Sequence, residues 1–296
     1  MKILYINRCF KVHEDIDHQS DCLFIGLREL FGDSIIDYTK KSHLYTTYDE
    51  QKASELYGHG FSLSRVLPEL RIDRYDIEDK IKYNYFDYVI ITYPTEHIFL
   101  QDLIFKHFKS NKIIFVDGAD DTKINKVHPN SLYFKRESEN GAALPIHFAL
   151  PTCKINFNKE KIKDFAYIKP LHEDYFTEAK DRKYFYDTEI KYYQDYNEAR
   201  FGVTYKKQGW DCMRHYEIMG NGCIPYFTDI KKCPENSLVR FPKNLCSSVL
   251  HDIDVNKLNY ENVYDKYIDS FEKHFMENGT TEALAKFFIH TVTNYE

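Results

Sequence analysis

Three short runs of consecutive apolar residues most constrain how this chain can fold. They span residues 2–6, 88–93 and 112–118, and each is rich in isoleucine, valine, tyrosine or phenylalanine. Continuous rather than alternating hydrophobicity is typical of strands in a parallel sheet, because helices cover such a sheet on both faces. The sequence therefore predicts a parallel sheet in the first half of the chain.

Helical patterns lie between these runs. Residues 21–32 and 97–110 place apolar side chains three and four positions apart, and Gly32 is a suitable stop for the first helix. The order strand, helix, strand, helix, strand predicts an α/β, Rossmann-like domain over residues 1–155.

Residues 156–296 are predicted to form a second, smaller Rossmann-like domain. Its expected elements are strands at 164–169, 201–205 and 223–227, a charged helix at 181–200 and closing helices at 259–279 and 281–295. Thr280 or Thr281 can cap the last helix. Two such domains would face a cleft, with ligands bound beyond the carboxyl ends of the strands.

Composition and charge narrow the class of protein. The 296 residues can bury a large core, and the net charge of −6 argues against a nucleic-acid partner. The seven cysteines are odd in number and form no C-x-x-C pair, which favours free thiols in the cytoplasm over a zinc site or disulfides. No apolar stretch approaches the roughly 18 residues that span a bilayer. The expectation is a soluble, cytoplasmic protein without a transmembrane segment.

The densest polar chemistry lies in residues 209–227, with the sequence GWDCMRHYEIMGNGCIPYF. This pattern predicts a helix that Asp211 caps and Gly222 ends, followed by a buried strand. Arg214 and Glu217 are three residues apart and share one face of the helix. The simplest interpretation of this pair is a surface ion pair.

The local charge favours a different interpretation. Residues 200–243 contain eight lysines and arginines against four acidic residues, in a chain that is acidic overall. Lys206 and Lys207 lie beside the predicted helix N-terminus, whose free N–H groups attract anions. Such a cationic region suits a diphosphate, which arginine binds through two parallel hydrogen bonds.

The same segment resembles the donor-binding element of GT-B-type glycosyltransferases with a G-W-D-x-x-R-H-Y-E…G-C-I-P-x-F signature, and more loosely that of exostosin-like transferases. The matching residues are Gly209, Trp210, Asp211, Arg214, His215, Tyr216, Glu217, Gly222, Cys223, Ile224, Pro225 and Phe227. The resemblance continues through 229–245 and extends more weakly to 116–121 and 132–137.

The resemblance implies a nucleotide-diphosphate sugar bound between two domains. Glu217 would bind the donor ribose, and Arg214 with Lys206 or Lys207 would face the diphosphate. Gly209, Trp210, His215 and Tyr216 would complete the donor site. Cations and the helix dipole would stabilise the departing nucleotide, so no metal or further cofactor is implied. The D-x-D triplets at 15–17 and 252–254 are attributed to chance.

One feature of the wider GT-B pattern is missing. Many of these enzymes open the second domain with a glycine-rich loop, whereas residues 167–176 contain no glycine. Either Lys169 or His172 replaces the backbone contacts of that loop, or the chain is a non-catalytic relative.

Sugar transfer also needs a group that accepts the proton of the acceptor hydroxyl. Asp117, Asp120 and Asp121 follow a predicted strand, and clustered carboxylates that repel one another favour a usable base. A plain turn explains the same residues. Asp120 is the leading candidate, and His13 after the first strand is another. In the segment 134–137, Lys135 or Arg136 could contact acceptor or phosphate, although a surface strand is an equal explanation.

The favoured function is a glycosyltransferase that moves a sugar from a nucleotide-diphosphate donor to a hydroxyl-bearing acceptor, with a glycan as the favoured class. Three alternatives stay open: a non-catalytic nucleotide-sugar binding protein, a receiver-like domain phosphorylated on an aspartate after strand 112–118, and a phage-type enzyme that glycosylates DNA bases. The acidic net charge disfavours the last of these. The acceptor, the sugar and the oligomeric state are not specified by the sequence.

Overall fold

The structure, a computed structural model, describes residues 1–7, 16–92, 94, 100–125, 128–138, 141–167, 186–256 and 259–295. Its strands are β1 (Ile3–Ile6), β2 (Ile35–Tyr38), β3 (Tyr88–Thr92), β4 (Ile113–Asp117), β5 (Leu132–Lys135), β6 (Leu144–Pro145), β7 (Lys163–Phe165), β8 (Ala199–Thr204) and β9 (Ile224–Phe227). Its helices are α1 (His18–Phe31), α2 (Glu50–Glu55), α3 (Ile77–Lys82), α4 (Gln101–His107), α5 (Glu189–Glu198), α6 (Met213–Gly220), α7 (Lys243–Asn256), α8 (Tyr260–Asn278) and α9 (Thr281–Asn294). Within these ranges, every helix is too short or too polar to cross a lipid bilayer.

The first sheet has six parallel strands in the order β2-β1-β3-β4-β5-β6. The strand order reverses between β1 and β3, and sheets of this kind bind ligands beyond the carboxyl ends of the strands near such a reversal. The predicted α/β, Rossmann-like parallel sheet is therefore confirmed for this half, and β1, β3 and β4 match the three apolar runs.

Side chains on the two faces of the first sheet pack into two different cores. From β1, Ile3 and Tyr5 pack with α1, whereas Leu4 and Ile6 pack on the opposite face with residues of α3 and α4. This double burial explains the continuous apolar pattern. Gly32 ends α1 with a positive φ of 55°, as its position in the sequence predicts.

The second sheet is smaller, with three parallel strands in the order β7-β8-β9. All three expected strands are present. Helix α5 is shorter than the predicted 181–200, because Thr188 caps it and residues 186–188 are not helical, while 181–185 lie outside the described residues. Thr280 caps α9 by accepting a hydrogen bond from the Ala283 N–H at 3.1 Å, which confirms that prediction.

Helix α9 follows the second sheet in the sequence, yet it packs against α1 in the first half of the chain. A Cβ at Gly26 of α1 would overlap the carbonyl oxygen of Thr281, so glycine permits the close approach of α1 and α9. The ring centroids of Phe134 and Phe288 lie 4.7 Å apart. The sequence predicts that this helix closes the second domain, residues 156–296, and that division stays a prediction.

Candidate functional site

The loops that follow β4 and β5 meet the loop that follows β8. Arg136, directly after β5, donates a hydrogen bond to the Asp211 carbonyl oxygen at 2.6 Å. The Asp211 N–H donates to Glu137 Oε1 at 2.9 Å. We call the group formed by Asp120, Arg136, Glu137, Gly209 and Asp211 the junction. It brings the sequence-predicted acceptor-side and donor-side segments together.

Arg136 is the centre of the junction. Its side chain is only 1 % exposed, and it donates to the Gly118 carbonyl at 3.0 Å and to Glu137 Oε1 at 2.9 Å, and pairs with Asp120. A buried guanidinium is stable only where its charge and its donors are satisfied in this way. The interpretation of 134–137 as a surface strand is therefore wrong, since Lys135, Arg136 and Glu137 are all buried.

Gly209 lies where any larger residue would collide with the junction. A Cβ at this position would lie 2.6 Å from Glu137 Oε1 and 2.9 Å from both Asp120 Oδ1 and Arg136 Nη1. The glycine is thus explained by the close approach of the β8 loop to the buried charges.

The three predicted catalytic aspartates have different surroundings. Asp117 is buried and accepts hydrogen bonds from Tyr133 Oη at 2.6 Å and Lys135 Nζ at 3.0 Å. Asp121 is largely exposed, and its Oδ1 lies 3.5 Å from Lys135 Nζ. Asp120 is about half exposed and pairs with Arg136. The expected cluster of repelling carboxylates is wrong, because buried cations lie between them. Asp120 alone of the three belongs to the junction.

Sequence reasoning missed Asp17, which precedes α1. Its Oδ1 accepts a hydrogen bond from the Ser20 N–H at 3.2 Å and lies 3.2 Å from the position that a Cβ on Gly118 would take. Burial raises the pKa of Asp17 to about 6, Lys41 opposes the shift, and Asp21 adds to it. The only sequence signal was the D-x-D triplet at 15–17. Asp17 is thus a carboxylate near the junction that can exchange a proton near neutral pH.

Helix α6 begins later than the sequence predicts. Asp211 does not cap it, because its carboxylate points away and accepts a hydrogen bond from the Phe148 N–H at 2.9 Å. Cys212 occupies the N-cap position without a side-chain hydrogen bond. Gly222 has a positive φ of 62° just beyond the helix, as expected of a terminating glycine. The N-terminus of α6 therefore lacks a side-chain cap.

Arg214, in the first turn of α6, is a partly buried cation that no carboxylate of the described residues contacts, and Glu217 attracts it only from beyond ion-pair distance. Throughout the described ranges it forms no ion pair, and its Nη1 is buried without a hydrogen-bond partner. The simple interpretation of a surface pair between Arg214 and Glu217 is therefore wrong. Lys207 lies nearby: although much of its side chain is exposed, desolvation and the charge of Arg214 lower the pKa of its amine.

Glu217 is buried, and each of its carboxylate oxygens is bound by a hydroxyl. Ser62 donates to Oε1, and Tyr192 donates to Oε2 at 2.5 Å. Tyr193 in turn donates to Ser62 Oγ at 2.8 Å. Burial raises the pKa of Glu217, while the two hydroxyls oppose that shift. Sequence reasoning missed Ser62 and Tyr192, because no local pattern connects positions 62 and 217.

His215 and Tyr216 face the core. His215 is fully buried, with Nδ1 3.0 Å from Thr204 Oγ1 and Nε2 2.9 Å from the Trp210 carbonyl oxygen, and burial lowers its pKa to about 3. Tyr216 is stacked on His147 with ring centroids 6.2 Å apart. These two side chains hold the β8 loop and α6 together and do not face a ligand, contrary to their predicted donor contacts.

Trp210 is nine-tenths buried, and Lys206 Nζ lies 5.5 Å from the centroid of its ring, within range of a cation–π interaction. Lys206 itself is exposed. The predicted residues His13, Lys169 and His172 lie outside the described residues. Among the described residues, no three histidine, cysteine, aspartate or glutamate side chains are grouped so as to hold a metal ion.

Comparisons of the chain with protein-family models, curated proteins and solved structures found no match. Arg214, Lys207 and the uncapped end of α6 form one side of the candidate site. The other side is formed by Asp17, which lies beside Gly118, and by Asp120, which pairs with Arg136. The function has to be inferred from the chemistry of these two sides.

The raised pKa of Asp211 predicts that the free energy of unfolding depends on pH. Burial raises this pKa to about 7, against about 4 for an unfolded aspartate. The folded protein therefore binds this proton more tightly, so its stability falls as pH rises from about 4 to 7. We expect Asp211→Asn, which still accepts from Phe148, to be more stable than the wild type at pH 8 by a few kcal/mol.

Urea unfolding at pH 5 and pH 8 measures this effect. The difference between variant and wild type should be small at pH 5. Asp17 contributes a slope of the same sign, so the variant should keep a reduced pH dependence. A variant that is less stable than the wild type at pH 8 would show that the ionised Asp211 is stabilising.

Proposed function

We propose that this protein is a glycosyltransferase of GT-B-like arrangement, which transfers a sugar from a nucleotide-diphosphate donor to a hydroxyl-bearing acceptor bound between the two sheets. The observation that carries the proposal is Arg214, a partly buried guanidinium that forms no ion pair within the described residues and whose buried Nη1 has no hydrogen-bond partner there. A cation in such a position costs stability unless a ligand supplies the anion.

A diphosphate fits the surroundings of Arg214. The N-terminus of α6 lacks a side-chain cap, and Lys207 lies beside it, so free N–H groups and two cations are available to phosphate oxygens. The resemblance of residues 209–227 to a GT-B donor element supports the same assignment, with Glu217 as the partner of the donor ribose.

The junction supports an acceptor on the opposite side. Asp17 is mostly ionised at pH 7, and it is favoured over Asp120, whose carboxylate is held by Arg136. In a single displacement, Asp17 accepts the proton of the acceptor hydroxyl while the acceptor oxygen bonds to the anomeric carbon. The bond from that carbon to the diphosphate breaks, and Arg214 with Lys207 stabilises the released charge.

A panel of nucleoside diphosphates tests the donor site. We expect at least one of UDP, GDP, ADP, CDP and dTDP to raise the thermal midpoint, since a ligand at 100 times its Kd stabilises the folded state by about 2.7 kcal/mol. Glu217→Ala should weaken the Kd about tenfold, because hydrogen bonds to the charged carboxylate are lost. The exposed Glu235→Ala is the matched control and should leave the Kd unchanged.

Thermal shift and calorimetry provide both measurements, and radiolabelled sugar transfer to water or to glycan acceptors reports turnover. A wild-type protein that no nucleoside diphosphate stabilises would contradict the proposal. Nucleotide binding without transfer to any acceptor or to water would favour the non-catalytic binding protein instead.

A further inference from the structure

The hydroxyl that binds Glu217 Oε1 comes from a loop with an unusual backbone. Within residues 57–65, Gly58, His59, Gly60, Ser62 and Arg65 all have φ between 55° and 72°. Three of these five are not glycine, and non-glycine residues in this left-handed region are concentrated at functional sites. The backbone of the loop holds Ser62 against Glu217.

The loop is anchored on α5 independently of the Glu217 contact. The Ser62 N–H donates to Glu189 Oε1 at 2.5 Å, and Lys154 donates to Glu189 Oε2 at 2.5 Å. The rings of Phe61 and Tyr192 lie 5.7 Å apart. Because the backbone N–H of Ser62 has its own partner, rotation about Cα–Cβ alone can withdraw the hydroxyl from Glu217.

The two hydroxyls bind the carboxylate in the manner of a vicinal diol. Ser62 donates to one oxygen of Glu217 and Tyr192 donates to the other, and together they satisfy a buried carboxylate. A ribose that binds Glu217 would present the same pair of donors to the same pair of oxygens. Because Glu217 is buried and both of its oxygens are covered by these hydroxyls, a ribose reaches the carboxylate only when the hydroxyls move aside.

We propose that Ser62 and Tyr192 are specificity-determining residues that compete with the donor ribose for Glu217. The inference rests on the proposed function, because it takes a nucleotide donor as the ligand. A ribose replaces the two hydrogen bonds that Ser62 and Tyr192 donate to Glu217 with two from its own hydroxyls. A 2′-deoxyribose restores only one of the two hydrogen bonds that it displaces, so it should bind about tenfold more weakly. The site thereby selects ribonucleotides over deoxyribonucleotides.

The test measures the Kd of four ribonucleoside diphosphates (UDP, GDP, ADP and CDP) and their 2′-deoxy counterparts by calorimetry. Ser62→Ala and Tyr192→Phe each remove one competing hydroxyl, so each should bind a ribonucleotide about tenfold tighter than the wild type. Ser64→Ala is the matched control. Ser64 is in the same loop and is buried, and its hydroxyl has no hydrogen-bond partner among the described residues. The Kd of Ser64→Ala for each nucleotide should therefore equal that of the wild type.

Each outcome is decisive. Tighter ribonucleotide binding by both variants than by a wild type that binds, with an unchanged Ser64→Ala, supports the competition. Unchanged or weaker binding by both variants, beside a wild type that binds, overturns the competition and leaves the proposed function standing. Failure of every nucleotide to bind the wild type overturns the proposed function and the competition together.

Discussion

Replacement of Arg214 by methionine is expected to weaken nucleoside diphosphate binding by about 100-fold or more, and to leave the free energy of unfolding unchanged or higher. Binding should fall because an arginine donates charge-assisted, bidentate hydrogen bonds to phosphate. Stability should not fall, since the described residues give Arg214 no ion pair, and methionine fills much of the same space without a charge to desolvate. Calorimetry and urea unfolding measure the two effects.

Arg200→Met is the matched control for this prediction. Arg200 lies on β8, 3.2 Å from Asp164 and 3.3 Å from Glu261, so its charge is neutralised within the protein. Its replacement should lower stability modestly and leave the nucleotide Kd unchanged. If Arg214→Met were instead strongly destabilising with no change in nucleotide affinity, Arg214 would be a structural residue.

The first sheet was predictable because its longest strands are apolar on both faces. Strand β2 was not predicted, since Asp37 interrupts its apolar run. The structure explains this exception: Asp37 is fully buried, and Arg74 pairs with it at 2.6 Å while the Tyr45 hydroxyl donates to it at 3.0 Å. A polar residue in a buried strand is tolerated only with such partners, and those partners are not visible in the local sequence.

The sequence signal for the candidate site was local. Lys207 was predicted from its position beside a helix N-terminus, and Arg214 from the helix face that it shares with Glu217. His215 and Tyr216 stand in the same motif, yet they point into the core, because successive positions on a short helix face different directions. A motif therefore identifies a segment of the chain, and burial decides which of its residues can meet a ligand.

Long-range pairs could not be predicted. Ser62 reaches Glu217 across 155 positions, and Arg136 reaches Asp211 across 75. Each contact depends on how the two sheets are placed, which periodicity and propensity do not encode. Gly209 shows the intermediate case: the signature includes it as a donor-site residue, whereas the structure explains it by the carboxylates and guanidinium that would collide with a Cβ.

Asp17→Asn is expected to lower turnover by about 100-fold to 10,000-fold while nucleotide affinity stays within about twofold, because removal of a general base affects the chemical step and not donor binding. Asparagine accepts a hydrogen bond from Ser20 as aspartate does, so α1 keeps its cap. Asp49→Asn is the matched control: Asp49 caps α2 through the Lys52 N–H at 2.9 Å and is exposed, so its replacement should leave turnover unchanged.

The pH profile separates a base from a structural carboxylate. With a pKa of about 6, Asp17 is protonated below that pH, so kcat/KM of the wild type should fall on the acid side with a midpoint near 6. The variant should lose this limb. Stability should change in the opposite direction, since an acid with a raised pKa destabilises the fold when it is ionised, and Asp17→Asn should therefore be the more stable protein at pH 8. If the acid limb persists in Asp17→Asn and disappears in Asp120→Asn, the base is Asp120, and Arg136 must release it when the acceptor binds.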